Sequence, residues 1–143
     1  MGTAGQPDQH RTGGPAARLR LEPGQIVQEL GWDEDCDDEL RAEIEDLTGN
    51  ELIDDEAREV ADVVLLWWRD GDGDLVDALV DATADLVDGG TVWLLTPKVG
   101  RDGHVDPADV ADAAPTAGMS TSSTLAIVED WSATKLVAPR SGR

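Results

Sequence analysis

The stretch that most constrains the fold is ADVVLLWWRDGDGDLVDALVDATADLVDGGTVWLLTPK, residues 61–98. Val63–Trp68 is an unbroken apolar run, too short for a buried helix and rich in β-branched and aromatic side chains. Such a run reads as a strand covered on both faces, the signature of a parallel sheet. TVWLLTP repeats it at Val92–Leu95. Between the two, Asp74 is an N-cap with Asp77 three residues on, and apolar residues from Leu75 to Val87 recur at helical spacing. Gly89-Gly90 reads as the helix stop. Strand, helix and strand of this length predict a right-handed parallel βαβ unit.

The polar side of the expected helix is a ridge of like charge. Asp74, Asp77, Asp81, Asp85 and Asp88 are three or four residues apart, with no Lys or Arg among them. At about 100° per residue they share one face. Like charges so placed cost roughly 0.2–0.5 kcal/mol each, so packing must hold the helix. The ridge reads either as a solvated face or as a docking face for a cationic partner.

That charge belongs to half of the chain. The 143 residues carry a net charge of −20, and residues 29–88 hold 23 acidic and 3 basic side chains, so the remainder sums to zero. A field of this sign argues against direct contact with nucleic acid or an anionic membrane and favours a basic protein partner. No apolar run is long enough to span a bilayer. The N-terminus lacks the apolar core of a signal peptide. A cytoplasmic protein is expected. The single cysteine, Cys36 in WDEDCDDE, excludes an intramolecular disulfide, and its acidic neighbours disfavour a thiolate nucleophile.

Around the central unit, residues 1–18 read as a disordered arm, 19–139 as a single domain and 140–143 as a tail. Leu19–Leu21 is a candidate extended piece. QIVQEL (25–30) is a candidate first strand, ended by Gly31. A helix capped at Asp37 or Asp38 runs to Thr48, with Leu40, Ile44 and Leu47 inward and Gly49 beyond it. A short helix is expected at 55–59. Asp106-Pro107 starts a further helix that fails near Pro115–Gly118. Ser123–Val128 and Lys135–Ala138 are expected strands. The sum is a reduced doubly wound α/β fold, with a mostly parallel sheet, helices on both faces and a C-terminal antiparallel pair.

Four segments, GQIVQELGWDEDCDDELRAEIEDLTG, DVVLLWWRDGDGDLVDALVDA, GGTVWLLTPK and DWSATKLVAP, together resemble the actinobacterial members of domain-of-unknown-function family 3052. The resemblance covers about Leu19–Pro139 and implies a bacterial cytoplasmic protein. More distantly, Asp62–Pro97 and Ser123–Ala138 resemble the later half of class I methyltransferases. In that family a glycine-rich loop after the first strand cradles S-adenosylmethionine. Glu29 and Gly31 match the start of its E-x-G-x-G pattern, but Asp33 stands at the second glycine and Trp32 beside it. No cofactor is therefore expected.

In parallel sheets ligands gather beyond the carboxyl ends of the strands. That edge should collect Glu29, Trp32, Trp68, Arg69, Thr96, Lys98 and Trp131, with Arg101 and His104 near in sequence. Such a set either holds an anionic or planar ligand or simply closes the core. Asp70–Asp74 resembles half of a calcium loop, but Leu75 occupies the obligatory glycine position and Asp81 that of the bidentate Glu, so no metal is expected. His104 has no second ligand in view, and Ser120–Thr124 lacks spaced His and Asp partners for a hydrolase triad. With no catalytic residues assigned, the leading expectation is a non-catalytic regulatory or protein-interaction module. The alternative is an adenosyl- or nucleotide-binding protein or transferase using the strand-end crevice.

Overall fold

The structure, a computed structural model, describes residues 14–57 and 59–139. Five strands form one sheet: β1 (Val27–Leu30), β2 (Ala61–Trp67), β3 (Leu86–Pro97), β4 (Ser120–Leu125) and β5 (Trp131–Val137), in the order β1-β2-β3-β5-β4. β1, β2 and β3 run parallel, with Val27 opposite Val63 and Val63 opposite Thr91. β5 returns antiparallel beside β3, and β4 pairs antiparallel at the edge. The helices are α1 (Asp38–Thr48), α2 (Leu75–Ala82) and α3 (Pro107–Thr116).

Strand periodicity divides the core in two. Val27, Val63, Leu65, Trp67, Trp93, Leu95 and Trp131 pack with Leu40 and Ile44 of α1. The alternate residues, Val64, Leu66, Val92, Leu94 and Leu136, pack with Leu79 and Ala82 of α2 and Val110, Ala113 and Ala114 of α3. The unbroken apolar run is thus explained: both sides of β2 are covered by helices.

α1 has the expected boundaries. The Asp37 carboxylate accepts from the Leu40 amide at 2.8 Å, and the Gly49 amide donates to the Glu45 carbonyl at 2.8 Å. Asp37→Ala is expected to cost about 1 kcal/mol, a fall of roughly 4 °C in melting temperature, readable by calorimetry.

The helix after β2 is shorter than the periodicity suggests. α2 ends at Ala82, where Thr83 turns its hydroxyl onto the Val80 carbonyl at 2.8 Å. β3 begins at Leu86, and the register jumps from Ala61–Leu86 to Val63–Thr91, so Gly89-Gly90 lies in a strand irregularity rather than at a helix stop. The five-residue acidic ridge is corrected accordingly. Asp77 and Asp81 lie exposed on α2, Asp74 caps it, and Asp85 and Asp88 belong to the turn and strand that follow.

Other expectations also shift. No helix forms at 55–57 and 59. Asp54 folds a turn by accepting from the amides of Glu56 and Ala57, and Ile53 makes a single parallel bridge to Gln28. Of the expected arm, residues 1–13 lie outside the described residues, as does the tail 140–143. Gly14–Leu19 forms a short 3-10 helix with Ala16 and Leu19 buried, so Leu19 closes that turn instead of opening an extended piece. β4 and β5 begin at Ser120 and Trp131, earlier than expected, which makes Trp131 the first strand residue opposite Pro97 rather than part of the turn. Among the described residues no helix is long and apolar enough to cross a membrane.

Candidate functional site at the strand ends

Strand parity aims Glu29 at α1, because it lies two residues beyond the inward Val27. Its buried carboxylate accepts from Arg41 Nε at 2.6 Å and a terminal guanidinium nitrogen at 2.9 Å. It also accepts from the indole nitrogen of Trp67 at 2.9 Å. Trp67, fully buried, meets Trp131 edge to face with ring centroids 4.8 Å apart.

Trp131 connects this unit to a second ion pair. The Arg69 guanidinium stands 5.3 Å from its ring centroid and binds Asp35 through two nitrogens at 2.6 and 2.9 Å. Arg69 also donates to the Gly31 carbonyl at 3.0 Å, and the Trp131 indole to the Asp35 carbonyl at 3.2 Å. The loop between β1 and α1 is therefore tied to the ends of β2 and β5. Arg69's hydrogen bond holds the Asp35 carboxyl below its ordinary range, and Glu29's raises Arg41 above its own. Burial pushes the Cys36 thiol up to about 11, which keeps it protonated and unreactive at neutral pH.

The lowered pKa of Asp35 has a defined consequence. A carboxyl with a lower pKa folded than unfolded adds stability above its unfolded value near 4, and loses it as pH falls through the folded value. Wild type should exceed Asp35→Asn in urea midpoint at pH 6, and the gap should close as pH drops below about 4. A gap that persists in acid would mean the carboxylate contributes through its shape and neutral hydrogen bonds.

Of the residues expected at this edge, Glu29, Arg69 and Trp131 come together in one network. Trp32 lies beside it, half-exposed, with the Arg41 guanidinium 5.6 Å from its ring centroid. Trp68 does not join them: parity turns it to the α2–α3 side, and Trp67 takes the place expected for it. Thr96 also faces α3. Lys98 is half-buried and reaches Asp130 only through its backbone amide, without a side-chain ion pair among the described residues. Arg41 and Asp35 escaped the sequence reading. Arg41 is the only basic residue of α1, a signal that makes it a candidate without naming Glu29 as its partner.

Beyond the end of β3 lies an open cleft of about 430 Å³ between Asp35, Pro97, Arg101, Asp102, Asp130 and Trp131. Its one cation, Arg101, pairs with Asp130 at 3.1 Å. Among the described residues, no three His, Cys, Asp or Glu side chains are placed to hold a metal. At the place of the S-adenosylmethionine loop, Glu29 and Gly31 are both packed against the rest of the fold. Glu29 is fully engaged by Arg41 and Trp67, and Gly31 is pressed against the Trp67 carbonyl.

Comparison with solved structures shows the class of fold. The pyocyanin biosynthetic protein PhzM superposes with a TM-score of 0.66 at 12% identity, covering 91% of this chain, which spans about half (55%) of PhzM. A SAM-dependent methyltransferase from Aquifex aeolicus gives 0.55 at 12% identity, covering 92% and 93% of the two chains. Precorrin-6y C5,15-methyltransferase from Geobacter metallireducens gives 0.60 at 10% identity, covering 92% and 88%. The chain thus has a mixed α/β fold similar to the Rossmann-like fold of methyltransferases. In sequence it is 54% identical over 126 residues to the uncharacterized proteins Rv2239c of Mycobacterium tuberculosis and Mb2263c of Mycobacterium bovis, covering 88% of this chain and 79% of each relative. The model of the family described as protein of unknown function DUF3052 matches residues 16–140, and the chain belongs to that family.

Proposed function

We propose that the protein is a non-catalytic cytoplasmic interaction module on a doubly wound, methyltransferase-like scaffold whose cofactor place has become structural. The observation that carries this reading is the engagement of Glu29. The carboxylate at the head of the loop that resembles a cofactor cradle accepts three hydrogen bonds, two from Arg41 and one from the Trp67 indole, inside a packed core. A ligand there would have to break a partly buried ion pair, a cost of about 3 kcal/mol. Beside this network Trp32 is half-exposed among Asp33, Glu34 and Asp38, and on the opposite layer Asp77 and Asp81 face outward on α2. Carboxylates around an indole suit the Lys and Arg side chains of a basic, regulated protein partner.

Titration with S-adenosylmethionine, its demethylated product and a nucleotide panel is expected to leave the intrinsic Trp fluorescence unchanged. A saturable response that Glu29→Gln weakens would overturn the reading in favour of a small-molecule site in the strand-end crevice. A protein captured by the wild-type chain should be released by salt and lost when Asp33, Asp77 and Asp81 are changed to Asn.

A further inference from the structure

On the other side of β3 the strand ends change character. Along β3 the α3-facing residues run Val92, Leu94, Thr96, and along β5 they run Leu136, Thr134, Ser132. Apolar contact thus gives way to hydroxyls at the end where β3 leaves the sheet. Thr96 lies directly opposite Ser132 and Thr124 directly opposite Thr134, with the latter hydroxyls 3.2 Å apart. These four residues floor a pocket of about 270 Å³ whose walls are Val99, Val105, Pro107, Val110 and Ala111. His104, Pro97 and Thr121 complete the lining.

Three observations define what this pocket would accept. Its lining contains no Asp, Glu, Lys or Arg, in a chain with 31 acidic residues. His104 Nδ1 lies 2.9 Å from the Pro97 carbonyl. A carbonyl only accepts, so Nδ1 carries a proton, and in a neutral imidazole Nε2 is then an acceptor, with no protein partner among the described residues. Thr96 is more than nine-tenths buried, and its hydroxyl likewise has no protein partner among the described residues. A mostly apolar concavity with a few convergent polar groups is the usual form of a small-ligand site. An apolar cavity of about 150 Å³ already takes benzene, so the space here accommodates a substituted ring.

The geometry points to a binding site for a small uncharged molecule, with an aromatic or branched apolar body and one hydroxyl that donates to His104 Nε2 and accepts from Thr96. The hydroxyl matters because His104 Nε2 and the buried Thr96 hydroxyl would otherwise remain unmatched under the ligand. An anion is disfavoured, since no cation lines the pocket and the net charge of the chain is −20. This site is separate from the Glu29 network and independent of the partner-binding reading.

The test uses the full chain with p-cresol, toluene and 4-methylbenzoate as probes, followed through amide chemical shifts. p-Cresol is expected to give saturable shifts at Val105, Val110 and Thr124, with toluene about tenfold weaker and 4-methylbenzoate weaker than p-cresol. Ala111 is exposed at the rim, so Ala111→Trp should close the pocket and abolish the shifts while leaving the fold intact. His104→Phe keeps a ring but removes the acceptor, and should lower p-cresol affinity to that of toluene. Overturning results are the absence of saturable shifts up to the solubility limit, equal affinity for p-cresol and toluene in the wild type, or tighter binding of the carboxylate. An unaltered response in a folded Ala111→Trp or in His104→Phe would overturn it equally.

Discussion

Gly31→Ala is expected to destabilise the protein by about 3 kcal/mol or more, lowering the melting temperature by roughly 10 °C or preventing soluble expression. Two effects add. Gly31 has φ +78°, where a side chain costs roughly 1–2 kcal/mol. A Cβ would also press into the carbonyl oxygen of Trp67, a backbone atom of a central strand that cannot rotate away. The turn would have to lift, drawing Glu29 from Arg41 and the Gly31 carbonyl from Arg69. Gly24→Ala separates the two effects: Gly24 has φ +90°, yet a Cβ there meets nothing within 4 Å. It should show the backbone strain alone. Equal melting temperatures for the two variants would mean that the close approach to Trp67 carries no cost.

Much of this architecture is legible from periodicity alone. Val63–Trp68 and TVWLLTP announce parallel strands by continuous apolarity, QIVQEL is a candidate strand ended by Gly31, and Asp37, Asp74 and Asp106 announce three helix starts by capping chemistry. Errors arise where tertiary register overrides a local pattern. Leu86 and Val87 continue the helical spacing of Leu75–Ala82, but the pairing of Leu86 with Ala61 draws them into β3. Nothing local to DATADLVDGG records that competition. At the strand ends, the directions of Trp67 and Trp68 are a matter of parity: one residue of offset moves a side chain to the opposite layer. Anchoring the count on Val63 as an α1-facing residue would have placed Trp67 with Glu29 and Trp68 with α2. The partner of Glu29, twelve residues away on α1, depends on how that helix crosses the sheet, which the sequence pattern does not encode.

Removing either member of the Glu29–Arg41 pair should be at least as damaging as removing both. Glu29→Leu leaves a guanidinium, 30% exposed, with only the longer 3.3 Å contact to the exposed Asp38, and strands the indole N–H of the fully buried Trp67. Breaking a fully buried pair costs about 3–5 kcal/mol, and partial solvation of Arg41 places Glu29→Leu near the lower end. Arg41→Leu leaves the carboxylate buried with only the indole donor, and should cost a similar amount. In Glu29→Leu/Arg41→Leu both charges are gone and apolar side chains of comparable volume replace them. Only the indole hydrogen bond is then lost, a penalty of about 1–3 kcal/mol. Urea unfolding of the four proteins gives the coupling by a double-mutant cycle. A coupling of about 2 kcal/mol or more identifies the strand-end carboxylate as half of a buried structural pair, as the engaged site requires. Additive losses would mean that Glu29 and Arg41 hold the loop independently. Glu29 would then be free to serve a ligand without loss of the fold, and the interaction-module reading would lose the observation that carries it.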